Sequence, residues 1–323
     1  MSSPAPGTSA MRQTMDGQAD ALAQILGDEE PVMQVAERLR GRRVLAIGTG
    51  TSWHAASQAA ELLRAAGLDA WAAQSADAAT DGPLPGEGDA LLAFTHTGAK
   101  RYTAQAVQGA RSAGAEVIQI SGVGVDGADL VTVPRERSSA YTASHLGALA
   151  RAAQLARALG ADLAALSEVP AAVESAYRTM GNGQLARPPS RLCEFIGGGI
   201  NQWTAAEGAL KIREAAYVAS EGLGVEQFLH GPSVALGTDD RLVCLDGGGA
   251  WSARITEIAE AAEESGVPVT RIANDSLGEH LSIFPLTVYV QRIALESAES
   301  LGVNPDSFGR DRPGREPWNR IKL

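Results

Sequence analysis

The chain has 323 residues, enough for two core-bearing domains, and is 45% hydrophobic but only 5% aromatic, an ordinary balance for an α/β protein. A formal net charge of −11 and a pI near 5.0 exclude a nucleic-acid or anionic-membrane surface, but not a local basic pocket for a small anion. No apolar run reaches the ~18 residues of a membrane span, and the N-terminus lacks the basic and apolar regions of a signal peptide, so the chain reads as cytoplasmic.

Residues 1–12 begin MSSPAPGTSA, a small polar stretch that predicts a disordered leader. Residues 13–180 then read as a first domain. Arg43-Val-Leu-Ala-Ile is a predicted strand running into Gly48-Thr-Gly-Thr-Ser52 and a helix. Glycine permits close backbone approach there, and the helix N-terminus offers N–H groups to an anion. A dinucleotide loop is the rival reading, but the third glycine it needs is missing. A second strand, Asp89-Ala-Leu-Leu-Ala-Phe, ends in Thr95-His-Thr-Gly98. Two strand ends carrying Thr or Ser beside Gly make a hydroxyl-lined cradle at the carboxyl edge of a parallel sheet, where open α/β sheets bind ligands. Gly50, Thr51, Ser52, Thr95 and Thr97 are the candidate holders of a phosphate-type anion, with Lys100 adding charge. The plainer alternative is that these hydroxyls are N-caps.

A strand at Ala115–Ser121 follows, then a long Ala-rich helix over residues 141–182, within or just after which the domain boundary is expected. Arg187-Pro-Pro-Ser190 launches the second domain, residues 181–323. Its strands repeat the first half: Leu192-Cys-Glu-Phe-Ile-Gly answers to Arg43-Val-Leu-Ala-Ile-Gly, and Asp240-Arg-Leu-Val-Cys-Leu answers to Asp89-Ala-Leu-Leu-Ala-Phe. Short apolar strands alternating with helices mean βαβ units and a parallel sheet in each half, as in a tandem duplication. Cys193 and Cys244 fall in these strands as apolar fillers, and no spacing calls for a metal or a cofactor.

The second half lacks the hydroxyl loops; its counterparts are Gly197-Gly-Gly-Ile-Asn201 and Asp246-Gly-Gly-Gly249, and Asp246 repels phosphate. It carries Glu207-Gly-Ala-Leu-Lys211-Ile-Arg-Glu214 and, further on, His230-Gly-Pro232 instead. Positions 207, 211 and 214 share one stripe of an otherwise apolar helix, where charges are costly unless paired or used. The bland reading is a Glu207–Lys211 salt bridge beside a solvated Glu214; the sharp one is a proton-transfer site. The i,i+4 order of Glu207 and Lys211 predicts that this carboxylate is the neutralised one. Glu214, less compensated, is then the carboxylate with a raised pKa that serves as general base. One half holding the anion and the other supplying chemistry favours a single active site made between the repeats. Tyr102, Trp203 and Trp251 read as core aromatics, with lining the site as the alternative.

Taken together, the repeat, the two hydroxyl loops, Glu-Gly-Ala-Leu-Lys-Ile-Arg-Glu-Ala-Ala-Tyr217 and Phe-Leu-His-Gly-Pro232 resemble the double sugar-isomerase (SIS) domain family. Within it they are most similar to the isomerase half of glucosamine-6-phosphate synthases. The resemblance implies two tandem α/β domains, each a parallel sheet flanked by helices in a flavodoxin-like three-layer αβα arrangement. It implies an enzyme for a phosphorylated ketose or amino sugar, coupling ketose/aldose isomerisation to amino transfer, deamination or deglycation. Ser52, Thr95, His96 and Thr97 then contact the sugar phosphate, and Glu214 moves a proton between C1 and C2. His230 assists ring opening from the neighbouring subunit of a homodimer, while Glu207 and Lys211 line the site. The tail Pro317-Trp-Asn-Arg-Ile-Lys322 resembles the family's and implies Lys322 as the Schiff-base amine; the other candidate for that tail position is Arg310, in which case there is no Schiff-base lysine. The chain departs from the family where Ser-x-Ser-Gly-Glu-Thr becomes Thr95-His-Thr-Gly-Ala99-Lys100. Glu136-Arg-Ser-Ser-Ala-Tyr-Thr142 looks more like the ketose/aldose-isomerase branch related to tagatose 6-phosphate. Without a glutaminase domain, amino transfer needs a separate ammonia source. The alternatives are a fructosamine-6-phosphate deglycase and, from another class, a non-catalytic sugar-phosphate sensor.

Overall fold

The structure, a computed structural model, describes residues 8–179, 188–189 and 191–321. The chain clusters into two compact units. One takes Gly17–Glu136 and Ala143–Ser167; the other takes the chain up to Asp16, Arg137–Thr142 and the chain from Glu168 onward.

In the first unit, α2 (Gln18–Gly27) and α3 (Glu30–Leu39) precede β1 (Val44–Gly48), α4 (Thr51–Ala65), β2 (Ala70–Gln74), α5 (Ser75–Thr80) and β3 (Ala90–Thr95). After these come α6 (Arg101–Ser112), β4 (Glu116–Ser121), β5 (Leu130–Val131) and α7 (Ala143–Ala158). All pairings are parallel, in the order β2-β1-β3-β4-β5. Alternation splits each strand between two faces. Leu91, Ala93 and Val117 pack beneath Ala78 of α5 and Ala106, Val107 and Ala110 of α6. Ala90, Leu92 and Phe94, one residue out of phase, are equally buried.

The second unit opens with α1 (Ala10–Asp16) and resumes with α8 (Val169–Thr179), β6 (Cys193–Gly197), α9 (Asn201–Ala216), β7 (Ser220–Gly224) and α10 (Val225–Leu229). β8 (Arg241–Asp246), α11 (Ser252–Glu264), β9 (Val269–Ala273) and α12 (Ile283–Ser300) complete it. Its four strands are parallel, in the order β7-β6-β8-β9. Cys193, Phe195, Val243 and Leu245 face α9 and α12, whereas Ile196, Leu242 and Cys244 face α10 and α11. Both units are parallel sheets flanked by helices, the expected α/β class. Both cysteines are buried fillers, and burial pushes each thiol up to about 12, far from reactivity.

Two local expectations change. The Ala-rich helix expected over 141–182 is broken: α7 ends at Ala158, Gly160 takes φ +115°, and α8 starts anew at Val169 after a 3₁₀ turn. Residues 10–12 of the expected leader are helical, because the Asp306 carboxylate accepts from the N–H groups of Ala10 (2.8 Å) and Met11 (2.9 Å) while Arg12 pairs with Glu299 (2.6 Å). Residues 1–7 lie outside the described residues. Strand β7 runs straight into α10. Among the described residues no helix is long and apolar enough to cross a membrane.

Candidate functional site

In the first unit, β1 and β3 are hydrogen-bonded neighbours, so the two hydroxyl loops leave from adjacent carboxyl ends of the sheet. Glycine is required at the first turn. A Cβ on Gly48 would stand 2.1 Å from the Ser52 carbonyl oxygen, and Gly50 turns the chain into α4 at φ +59°. The N-cap alternative is not what forms. The residues before α4 and α6, Gly50 and Lys100, make no side-chain cap, and Thr51 and Ser52 lie inside the helix. The Thr97 hydroxyl accepts from Ala99 N–H at 3.4 Å. Two helix N-termini without side-chain caps therefore meet the strand ends, an arrangement suited to an anion.

A further hydroxyl belongs to this edge. Thr95 and Ser121 are Cα partners on β3 and β4, so their side chains project from the same face. They are 5% and 1% exposed, and neither hydroxyl oxygen has a hydrogen-bond partner among the described residues. A buried hydroxyl left so costs about 1–3 kcal/mol, which a bound polar ligand would offset. Ser121 went unnoticed in the sequence, although Ser121-Gly122 repeats at a third strand end the Thr/Ser-beside-Gly signal of the first two. His96 packs its ring on this third loop: a Cβ on Gly122 would lie 2.9 Å from Nδ1, and Gly122 N–H donates to the His96 carbonyl at 3.0 Å. Burial pushes the His96 pKa down, with Glu136 opposing and Arg135 adding to the fall, so the ring is a neutral donor or acceptor rather than a cation. Half-buried Lys100 adds positive charge at this edge.

In the second unit, α9 holds the charged stripe. Glu207 and Lys211 are fully buried, and the Glu214 side chain is 13% exposed. Lys211 Nζ donates to Glu214 Oε2 at 2.5 Å and lies 3.4 Å from Glu207 Oε1. The expected pairing is thus reversed, since the ammonium takes the i+3 carboxylate more closely than the i−4 one. Glu214 is compensated, not solitary. What separates the two carboxylates is access, because only Glu214 reaches the surface. Burial alone lowers the Lys211 pKa, but the two carboxylates together outweigh it and raise it. Lys211 therefore stays an ammonium, a counter-ion for the pair rather than a nucleophile.

The remaining predicted residues are not gathered to this stripe. His230 caps α10 with its side chain 79% exposed, its Nε2 3.6 Å from Glu226. Lys322 lies outside the described residues, and Arg310 is exposed. Of the three aromatics read as core, Tyr102 is exposed, Trp203 is half-buried, and Trp251 packs so closely that a Cβ on Gly198 would meet it at 2.3 Å.

No protein-family model matches the chain. In sequence it is 26% identical over 321 residues to a glutamine–fructose-6-phosphate aminotransferase (isomerizing) of Pyrococcus horikoshii, covering 87% of this chain and 53% of that protein. The same-named protein of Leifsonia xyli is 27% identical over 66% of this chain and 42% of its own length. The chain thus spans about half the length of the curated relatives it matches. Among solved structures, the C-terminal domain of glucosamine-fructose-6-phosphate aminotransferase from Francisella tularensis superposes with a TM-score of 0.80 at 13% identity, covering 93% of this chain and 98% of that one. Glucosamine-6-phosphate deaminase from Thermotoga maritima gives 0.78 at 20% identity, covering 93% and 97%. Tagatose-6-phosphate ketose/aldose isomerase from Escherichia coli gives 0.78 at 17% identity, covering 95% and 97%. Over most of its length, this chain has the fold of solved aminotransferase, deaminase and isomerase structures named for phosphorylated sugars.

Proposed function

We propose that this chain is an enzyme of the phosphosugar-isomerase type, acting on a phosphorylated ketose or amino sugar. It performs ketose/aldose isomerisation, coupled to amino transfer, deamination or deglycation. The observation that carries the reading is the α9 stripe: a buried Glu207–Lys211–Glu214 array in which one carboxylate alone reaches the surface. A fixed carboxylate with access to a substrate carbon is what proton transfer between C1 and C2 requires. Lys211, held cationic, keeps Glu214 in place. In the first unit, Gly50, Thr51, Ser52, Thr95, His96, Thr97, Lys100 and Ser121 hold the ligand's phosphate through helix N–H groups and hydroxyls. The relatives' names, which specify fructose 6-phosphate, glucosamine 6-phosphate and tagatose 6-phosphate, support this substrate class. His230 assists ring opening, in a homodimer of a cytoplasmic protein. The deciding experiment incubates the protein with fructose 6-phosphate and glucosamine 6-phosphate in D₂O, following deuterium at C1 and C2 by NMR and free ammonia by a coupled assay. A fructosamine 6-phosphate in the same assay separates deglycation from isomerisation. Binding of any of these sugars without exchange or turnover would make the chain a sensor instead.

A further inference from the structure

The last helical residue of α9 is Ala216, and Tyr217 follows at φ +61°. Its side chain reaches the C-terminal segment of the same unit. The phenol donates to the Asn304 carbonyl at 2.9 Å, lies 2.8 Å from Ser307 Oγ and accepts from Gly309 N–H at 3.1 Å. The Arg312 guanidinium stacks on the ring at 4.7 Å, and Gly309 presses so close that an added Cβ would sit 3.4 Å from Cε1. The segment is also fixed on its other side, where the Asp306 carboxylate caps α1 and the Asp306 carbonyl accepts from Ser139 N–H at 3.2 Å. Among the described residues, the non-glycine positions with positive φ are Tyr217 and Phe308, at +61° and +56°. Both strained residues lie on the two sides of this one contact. Such conformations cost of order 1–3 kcal/mol each and persist where the surroundings over-determine them.

We propose that Tyr217 is a positioning residue: it clasps segment Asn304–Arg312 to the end of α9 and thereby holds the turn that carries Glu214. Glu214 stands two residues from the helix end, where an unanchored helix frays. The clasp acts at the next residue but two, and its partners belong to a segment pinned independently to α1. The carboxylate therefore depends on a contact it does not itself make. The proposal rests on the reading of Glu214 as the proton-transfer base.

The test is Tyr217→Phe, which keeps the ring, the stacking and the backbone conformation and removes only the hydroxyl. Amide hydrogen exchange of residues 304–312 and of the last turn of α9 should quicken by about tenfold, the worth of one net hydrogen bond at the upper end of its range. For deuterium exchange into fructose 6-phosphate, kcat should fall roughly tenfold while KM stays within about twofold, since no binding group is lost. Arg312→Met, which loosens the same contact from the other side and leaves α9 untouched, should move both readings in the same direction. Unchanged amide exchange in both variants would overturn the clasp. Quickened exchange with an unchanged kcat would leave a purely structural contact and overturn the positioning role. A wild-type protein that never exchanges the C1 or C2 proton removes the catalytic reading of Glu214 and, with it, the positioning role. The amide exchange still decides the clasp on its own.

Discussion

Glu194 is the clearest place to test the electrostatics of this fold by stability. It lies on β6 with its side chain buried, directly opposite Glu221 on β7, and its Oε2 has no hydrogen-bond partner among the described residues. Burial first, then the charges of Glu221 and Asp240, push its pKa up to about 7, with Arg191 pulling the other way. The ordinary glutamate value is near 4.5, so the fold favours the protonated form by about two and a half pKa units, or roughly 3–4 kcal/mol. The sign follows from proton binding. Between pH 4.5 and 7 the folded state binds more protons at this residue than the unfolded state, so the residue's contribution falls as pH rises through that window. It is fully present below the unfolded value and lost above the folded one. Glu194→Gln replaces the neutral acid with an amide of the same shape and cannot ionise. The variant should match the wild type at low pH and exceed it by about 3–4 kcal/mol at pH 8. Urea unfolding at pH 5.5 and pH 8, comparing wild type with variant at each pH, removes the contribution of every other titrating group. A stability difference that does not change between the two pH values would refute the argument.

The other predictions concern the site. Glu214→Gln should lower turnover of the phosphorylated sugar by roughly 10²–10⁴-fold with binding retained, whereas Glu207→Gln should cost mainly stability; steady-state kinetics and thermal melts separate the two. Lys211→Met leaves two carboxylates facing each other on α9 without their cation and should destabilise the protein by about 3–5 kcal/mol, read from denaturant midpoints. Ser121→Ala and Thr97→Val should each weaken binding of glucosamine 6-phosphate by about tenfold while leaving the already weak binding of glucosamine unchanged, measured by calorimetry. Light scattering at micromolar concentration should show a homodimer; a fully active monomer would remove the partner role of His230.

Much of this was legible because it follows from period. Cys193, Phe195, Leu242 and Cys244 sit in short apolar runs, and the strands they form are parallel and buried on both faces. The glycines at 48 and 50 announced a strand-to-helix turn of close approach, and that turn is present. Chain order was a poorer guide to which sheet an element joins. Met11 and Met15 give α1 an apolar face, but an apolar face does not name its partner. It packs with Val290 and Ile293 of α12, far along the chain, because Asp306 and Glu299 supply the polar partners there. Ser121 was hidden for a related reason. A hydroxyl in a strand reads as ordinary until its registered neighbour, Thr95, is found equally buried and equally unsatisfied.

The α9 stripe shows the limit most sharply. Spacing alone placed Glu207, Lys211 and Glu214 on one side of a helix, and spacing alone favoured the 207–211 pair. That preference is measured for solvated helices, where both partners are free and the difference is a few tenths of a kcal/mol. Inside the core, the side chain of Lys211 is confined by packing, and a choice between two carboxylates is settled by which one its Nζ can reach. It reaches Glu214 at 2.5 Å and Glu207 at 3.4 Å. The identity of the accessible carboxylate survives this reversal, but its reason changes from missing compensation to geometry: position 214 is two residues from the helix end and opens outward, while 207 is enclosed. On the proposed reading of Glu214 as the base, its contact with the Lys211 ammonium fixes its direction. For moving a proton between adjacent carbons, fixed direction is the property that a buried ion pair on a clasped helix end supplies.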